Sequence, residues 1–287
     1  MNGHSEFKIA LVKLGGSVLT NKSRLRSFSE SDARRLASEV KGYALEGGRR
    51  RLVLVHGGGS FGHIRAKKYE LSAGFKKRYQ LVGFAQVRND MRDLNARVVG
   101  NLVDEGIPAI SFPPETFLKV RDGIVVKSDT EVLERCIAAG VVPVSFGDAV
   151  IDMGRTFGIL SGDAVMLSLS IALQPAVSVF CTDVDGVFDS NPKLSGDARL
   201  VRRLNESEYV NTDAPSVHDI TGEMGGKLKF LFDIAENSSR TLVINGNVRS
   251  RLEKALSGGS VTSTEVIASY SRSGSGGLGK CRFNNFY

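Results

Sequence analysis

The sequence predicts an α/β fold built on a mainly parallel sheet. Helix-period segments, Ser29–Glu46, Leu81–Glu105 and Lys227–Ser239, separate short apolar runs that lack polar alternation. Such runs are typical of strands covered on both faces, as in parallel sheets. Alternation of strands and helices predicts right-handed crossovers, with ligands bound beyond the carboxyl ends of the strands. The predicted strands are Phe7–Val12, Arg51–Val55, Ile107–Phe112, Val141–Phe146, Ala176–Cys181 and Thr241–Ile244.

Three other stretches complete the predicted organisation. Thr116–Lys127 and Asp148–Leu160 each place a turn signal between β-prone residues, which predicts two hairpins. The uncharged run Ala164–Thr182 is interrupted by polar residues, so it indicates a buried helix and strand rather than a membrane span. Residues 269–287 are rich in Ser and Gly, which predicts a mobile tail after a single domain over residues 1–268.

Composition narrows the class of partner without naming it. The 287 residues carry 38 Lys and Arg against 31 Asp and Glu, a net charge of +7 that favours anionic ligands. The three cysteines show no C-x-x-C spacing and the N-terminus has no secretory pattern, so we expect a cytoplasmic protein. The basic run Arg49–Arg51 has no aromatic platform beside it and fits a solvated helix end, so we expect no nucleic-acid or membrane partner.

The first glycine loop follows the first strand. Lys13 stands at the strand end, before Gly15, Gly16 and Ser17. The next predicted helix begins only at about Ser29, which predicts a long loop that contains Lys22. Small residues let backbone N–H groups approach an oxyanion, and lysines supply the compensating charge. An ordinary turn with solvated lysines is an equally good interpretation of this segment taken alone.

The second loop, His56–His63, contains a G-x-G-x-x-G pattern. The dinucleotide-binding interpretation is weak, because no acidic residue follows about 20 residues on, where that fold binds the ribose. His63 is predicted to stand at the loop exit where the next helix begins, and a histidine near a helix N-terminus can donate to a phosphate. His56, at a strand end, is predicted to be structural.

Three further loops carry candidate residues. Ser161-Gly162-Asp163 opens a buried helix, where Asp163 either caps the helix or orients lysines. Thr182–Gly186 mixes acceptors and small residues, which suits a nucleoside; its aspartates are explained equally well by Mg²⁺ or by a turn. Lys227 stands at another glycine-lined helix start. The Walker-like stretch Gly274–Lys280 is set aside, since Cys281 replaces the Ser or Thr and no helix can follow.

Together these loops resemble the amino acid kinase superfamily in order and spacing, and most closely its isopentenyl phosphate kinase branch. The Gly-Gly-Gly-Ser-Phe-Gly-His form of the second loop distinguishes that branch from acetylglutamate, glutamate, uridylate and carbamate kinases. The resemblance runs from about Phe7 to Val266. It departs at Glu223, where a second glycine is usual, and a carboxylate there would repel ATP phosphates unless it points outward.

The resemblance implies an αβα sandwich of the amino acid kinase fold, commonly a homodimer. Its N-terminal part would bind the phosphate acceptor, and its C-terminal part, from about residue 175, would bind ATP. The implied activity is ATP-dependent phosphorylation of isopentenyl phosphate to isopentenyl diphosphate with Mg²⁺, in an alternative mevalonate route of isoprenoid biosynthesis. No metal-ligating residues are predicted.

Site roles follow from the loops and from the resemblance. The resemblance alone implies that Phe84, Val87 and Ile159 form an apolar wall for a prenyl tail, and core packing is an equally good interpretation of these three residues. The predicted catalytic residues are Lys13, Lys22, His63, Asp163 and Lys227. The predicted acceptor-binding residues are Gly58, Gly59, His63, Phe84, Val87, Ile159 and Gly162. The predicted nucleotide-binding residues are Lys13, Gly15, Gly16, Ser17, Gly59, Thr182, Asp183, Asp185, Gly186, Gly225 and Lys227.

Two alternatives remain open at the level of sequence. A fosfomycin-type kinase has the same fold and phosphorylates a small phosphonate. A nucleotide-binding sensor that has lost catalysis would fit the departure at Glu223, although the retained lysines and His63 argue against it.

Overall fold

The structure is a computed structural model that describes residues 7–21, 23–206 and 225–268. The helices in this part are α1 (Gly16–Leu19), α2 (Glu30–Leu45), α3 (Gly59–Lys68), α4 (Tyr79–Asp104), α5 (Glu131–Ala138), α6 (Gly162–Leu173), α7 (Gly225–Glu236) and α8 (Arg251–Leu256). The strands are β1 (Lys8–Leu14), β2 (Arg50–His56), β3 (Ala109–Ser111), β4 (Leu118–Arg121), β5 (Ile124–Ser128), β6 (Val142–Phe146), β7 (Asp148–Asp152), β8 (Thr156–Leu160), β9 (Val177–Thr182), β10 (Arg203–Asn205), β11 (Thr241–Asn245) and β12 (Ser263–Ile267).

Eight of these described strands form one sheet in the order β10-β12-β11-β9-β1-β2-β6-β3. Every pair is parallel except β11 with β12. All six strands predicted from apolar runs lie in this sheet, which confirms the predicted α/β class with a mainly parallel sheet.

Helices cover the sheet on both faces. Alternate residues of β1 enter two different cores, Ala10 and Val12 on one face, Ile9 and Leu11 on the other. The first core contains apolar residues of α2, α4 and α8, and the second those of α5, α6 and α7. A strand buried on both faces needs apolar side chains at every position, which explains its unbroken apolar run. The three layers form the predicted αβα sandwich.

Both predicted hairpins are confirmed, and together they make a second sheet in the order β5-β4-β7-β8. The fully buried carboxylate of Asp152 joins their turns. It accepts hydrogen bonds from the backbone N–H groups of Asp122 (2.8 Å), Gly123 (2.7 Å), Gly154 (2.8 Å) and Arg155 (3.0 Å). Burial acts to raise the pKa of Asp152, but these four donors together hold it below the ordinary carboxyl value.

Replacing Asp152 by Asn should reduce the free energy of unfolding at pH 7 by about 3 kcal/mol, because backbone donors lose a charged acceptor. A depressed pKa stabilises the fold above the unfolded value of about 3.9 and loses that effect as pH falls through the folded value. We therefore expect the difference between wild type and Asp152→Asn to shrink below about pH 4 in urea unfolding. Asp129→Asn, at an exposed position, is the control and should change little. A difference that is independent of pH would contradict the role of the charge.

Two local predictions were wrong. The segment after Gly15 is not a loop up to Ser29, because α1 begins at Gly16. At the end of this helix, Thr20 Oγ1 donates a hydrogen bond to Gly16 O at 2.6 Å. A helix of four residues is too short to show periodicity. His63 stands in the second turn of α3 rather than at its start, since the helix begins at Gly59.

The basic run Arg49–Arg51, expected to be solvated, makes several contacts with the rest of the protein. The Arg51 guanidinium lies 4.3 Å from the ring centre of Phe7 and donates to Ile137 O at 2.7 Å, and Arg50 pairs with Glu46. Over the described ranges, we found no helix with the length and apolarity needed to cross a bilayer. The predicted tail at residues 269–287 lies outside the described part.

Candidate active site

A cavity of about 590 Å³ opens at the carboxyl ends of β1, β2 and β9. Strand register explains its position, because Leu14 pairs with both His56 and Cys181, so three strands end at one level. The loops that leave these strands, the start of α6 and the first turn of α7 bring most of the predicted glycines and polar residues to this cavity. They include Lys13, Gly15, Gly16, Ser17, Gly58, Gly59, Gly162, Asp163, Thr182, Asp183, Gly186 and Lys227.

The first two glycine loops pack backbone against backbone. A Cβ on Gly16 would lie 2.4 Å from Gly59 N, and one on Gly57 would lie 2.8 Å from Gly16 N. Gly59 also has a φ of +48°, which L side chains rarely adopt. Gly15 donates its N–H to Cys181 O at 2.9 Å, which joins the first loop to the end of β9. Glycine is needed here for close approach between the loops.

A buried ion pair stands at the cavity wall between these loops. Lys13 Nζ lies 2.5 Å from Asp163 Oδ1, with side-chain exposures of 11% and 9%. Ser161, rather than Asp163, caps α6, since its Oγ accepts from Ala164 N at 3.1 Å. The carboxylate of Asp163 is therefore available to hold the lysine ammonium in place.

One end of the cavity is apolar. His63 and Ala66 reach it from α3, Val87 and Met91 from α4, and Ile159 from β8. Phe84 is absent from the described lining: its ring stacks on Phe157 at 5.0 Å and backs the wall from behind. This end of the cavity could accommodate a ligand that has an anionic head group beside His63 and an apolar body against α3 and α4.

The other end is polar and carries a lysine that sequence reasoning missed. Lys193 lines the cavity and pairs with Asp183, whose other oxygen accepts from Ser17 Oγ at 3.0 Å. Burial acts to raise the pKa of Asp183, but Lys193 and Ser17 together lower it below the ordinary value. The Asn191-Pro192-Lys193 turn is the only sequence signal, and it indicates a turn rather than a ligand.

Several predicted residues lie away from the cavity or outside the described part. The described lining does not include Asp185, whose carboxylate accepts from Arg251 Nη1 at 2.5 Å and Asn245 Nδ2 at 3.2 Å. Gly225 starts α7, and its predicted role in nucleotide binding stays a prediction. Lys22 and Glu223 lie outside the described residues, so their predicted roles stay predictions.

His56 has a structural environment. Its ring is fully buried and stacks on Phe146 at 5.2 Å, and Nε2 lies 3.1 Å from Asn95 Nδ2. Burial lowers the pKa of His56 to about 4. The imidazole is therefore neutral near pH 7 and packs as part of the core.

A buried carboxylate below the apolar end was also missed. Asp148 lines the cavity and pairs with Arg92, yet burial raises its pKa to about 6. Its distance along the chain from Arg92 leaves no sequence signal for the pair.

This site belongs to a class of protein that binds phosphorylated small molecules at the carboxyl edge of an α/β sheet. The features that define the class are the two packed glycine loops, a lysine fixed by a carboxylate, and a cavity with one apolar end and one polar end that carries lysines. The model of the amino acid kinase family matches residues 8–245. The chain belongs to the amino acid kinase family.

Within that family, the chain is similar to isopentenyl phosphate kinases. The isopentenyl phosphate kinase of Methanothermobacter thermautotrophicus is 35% identical over 91% of this chain and 99% of the relative. That of Thermoplasma acidophilum is 35% identical over 84% of this chain and 94% of the relative. A solved isopentenyl phosphate kinase structure superposes with a TM-score of 0.79 at 32% identity, covering 90% of this chain and 100% of that one.

Proposed function

We propose that the chain catalyses transfer of the γ-phosphoryl group of ATP to isopentenyl phosphate, forming isopentenyl diphosphate and ADP. The observation that carries this proposal is the position of Lys13, held by Asp163 in one cavity whose ends differ in character. The apolar end beside His63 suits a short prenyl phosphate. The end with Lys193 and Lys227 suits a nucleotide polyphosphate.

The proposed step is a direct in-line displacement. An oxygen of the acceptor phosphate attacks the γ-phosphorus of ATP, the bond to the β-bridging oxygen breaks, and ADP leaves with the electron pair. The acceptor oxygen is already ionised near neutrality, so no enzyme nucleophile is needed. Positioning and neutralisation of charge account for the rate enhancement.

The five predicted catalytic residues have the following roles in this step. His63 donates to the acceptor phosphate, Lys13 and Lys22 neutralise the transferring group, and Lys227 binds the nucleotide phosphates. Asp163 orients Lys13. Backbone N–H groups of the glycine loops complete the phosphate site, with Gly58 and Gly59 on the acceptor and Gly16 on the nucleotide. The N–H of Gly15 is donated to Cys181 O, so Gly15 contributes close approach rather than a phosphate donor.

Magnesium is expected to arrive with the nucleotide. Across residues 7–21, 23–206 and 225–268 there is no cluster of three His, Cys, Asp or Glu side chains able to hold a metal ion. Asp183 and Asp185 are engaged by Lys193 and Arg251. These residues do not form a protein cage, and Mg²⁺ commonly keeps waters and substrate phosphates as its ligands. Its charge would help to neutralise the phosphates when bound.

The test is ATP consumption by the purified chain against isopentenyl phosphate, fosfomycin and other small phosphates and phosphonates. We expect the prenyl phosphate to be preferred, and His63→Ala to lose most of that activity. Preference for fosfomycin would establish the rival kinase function. ATP binding without turnover of any acceptor would favour the sensor.

We predict turnover of dimethylallyl phosphate within about tenfold of the isopentenyl isomer, because moving one double bond changes little apolar area. Steady-state kcat/KM for the two isomers, measured with one enzyme preparation, tests this. Rejection of dimethylallyl phosphate by an active enzyme would contradict a cavity wall that recognises only apolar area.

Replacing Lys193 by Met should raise the KM for ATP about fivefold, close to 1 kcal/mol, with the acceptor KM unchanged. The side chain is 62% exposed, so the effect is modest. Lys127→Met, an exposed position on β5, is the matched control. An increase in the acceptor KM instead would place Lys193 at the wrong end of the cavity.

We further infer a homodimer, a cytoplasmic location, and division of the domain into an acceptor-binding N-terminal part and an ATP-binding part from about residue 175. Family resemblance supports the dimer and the division. Light scattering coupled to size exclusion tests the dimer, and a monomeric mass at assay concentrations would rule it out.

A further inference from the structure

Helix α4 carries a buried carboxylate, Asp90, that faces arginines from two other segments. The Asp90 side chain is 7% exposed, and Oδ2 lies 2.8 Å from Arg65 Nε of α3. Its Oδ1 lies 3.4 Å from Arg26 Nε, in the segment between α1 and α2. A buried carboxylate is costly unless it is paired, so its two cationic partners are held to it.

The contact with Arg65 fixes α3 against α4. Arg65 stands two residues after His63, and its Nη1 donates to Gln86 Oε1 of α4 at 2.7 Å. The guanidinium is therefore bound from two successive turns of α4. Rotation of α3, which would turn His63 away from the cavity, would break both contacts.

The contact with Arg26 brings in the segment after α1. Arg26 has a φ of +55°, unusual for a residue other than glycine. Its Nη2 donates to Asp93 Oδ2 at 2.6 Å, and its guanidinium lies 5.8 Å from the ring centre of Phe61 on α3. The next residue, Ser27, donates its N–H to Ser60 Oγ at 3.0 Å. Asp90 thus binds two segments that also contact each other.

The same helix forms part of the apolar end of the cavity. Val87 and Met91 line the cavity on either side of Asp90 in sequence, whereas His63 and Ala66 line it from α3. The relative position of α3 and α4 therefore sets the distance between the phosphate-binding histidine and the apolar wall.

We propose that Asp90 is a positioning residue that, through Arg65, holds α3 so that His63 and the wall of α4 face the same acceptor. The inference rests on the proposed function in that the acceptor is a phosphate bound by His63. Asp90 itself touches no reacting group.

The decisive comparison is Asp90→Asn against Asp93→Asn. Both remove one negative charge from α4 that faces Arg26, but only Asp90 also faces Arg65. We expect Asp90→Asn to raise the KM for isopentenyl phosphate about tenfold with the KM for ATP within about twofold. Asp93→Asn should change both by less than about twofold. A merely structural effect would lower the active fraction and leave both KM values unchanged.

Three outcomes would overturn the proposal. Asp90→Asn could raise both KM values equally, or it could leave the acceptor KM unchanged. Asp93→Asn could raise the acceptor KM as much as Asp90→Asn does. If Asp90→Asn does not fold, Arg65→Lys tests the same contact, because it keeps the charge and removes the Nε that faces Asp90. We expect the same selective rise in the acceptor KM from this variant.

A readout without substrate separates this proposal from the proposed function. The ring-proton NMR signal of His63, assigned with His63→Gln, should shift in Asp90→Asn and stay in place in Asp93→Asn, with the His56 signal unmoved in both. An unmoved His63 signal would overturn the positioning role even if the enzyme were inactive with isopentenyl phosphate. A shifted signal in an enzyme inactive with that acceptor would overturn only the proposed function.

Discussion

Replacement of Lys13 by Met should lower kcat by about 10²–10³-fold, the usual loss when one donor to a developing oxyanion is removed. The ammonium stands 2.5 Å from Asp163 at the wall shared by both ends of the cavity. Single-turnover phosphoryl transfer, measured by quenched flow with saturating substrates, would isolate the chemical step.

The same change should also destabilise the fold, because it leaves the buried Asp163 carboxylate without its partner. Loss of one member of a buried pair costs about 3–5 kcal/mol. The double variant Lys13→Met with Asp163→Asn should regain much of that stability, as measured by urea unfolding, and none of the activity. Lys119→Met, on an exposed position of β4, is the control. Recovery of activity in the double variant would exclude a direct role for Lys13.

The sheet was predictable where its strands are buried on both faces. β1 and β9 have all or nearly all positions buried, and their apolar runs locate them within two residues. β10 and β12 were not predicted, because neither forms an apolar run: β10 is only Arg203–Asn205, and β12 begins with Ser263, Thr264 and Glu265. Their pairing depends on tertiary contacts that no local pattern encodes.

The site was predictable to the extent that loops follow buried strands. Parallel strands that end together bring the loops after β1, β2 and β9 to one cavity, so Lys13, the glycines and Thr182 could be assigned from sequence. Asp90 and Lys193 could not, because their roles depend on partners that lie elsewhere in the fold.

Phe84 shows the opposite error. The family resemblance assigned both Phe84 and Val87 to the wall, and their spacing of three residues puts them on the same side of α4. The stacking of Phe84 on Phe157 places its ring behind the lining instead. Helical spacing identifies a face, and packing against β8 decides which residue on that face reaches the cavity.

Gly16→Ala should lower kcat by at least about 100-fold. Helix propensity alone would favour alanine at this position by about 1 kcal/mol. Gly16 is the first residue of α1, and a Cβ there would lie 2.4 Å from Gly59 N and 2.5 Å from Gly59 Cα. These are backbone atoms of the second glycine loop and cannot rotate away. The two loops must separate, which displaces the N–H groups proposed to bind the phosphates.

Gly42→Ala is the matched control for this change, since Gly42 lies inside α2 and a Cβ there would have no neighbour within 4 Å. We expect Gly42→Ala to stabilise the fold by about 0.5–1 kcal/mol and keep full activity. Gly16→Ala should instead destabilise it by about 1–3 kcal/mol, the usual cost of overpacking. Thermal unfolding and ATP turnover, measured on both variants, decide the matter. A Gly16→Ala enzyme with wild-type kcat would mean that the contact between the two loops is not needed for catalysis, because loops separated by a methyl group would still hold the phosphates in line.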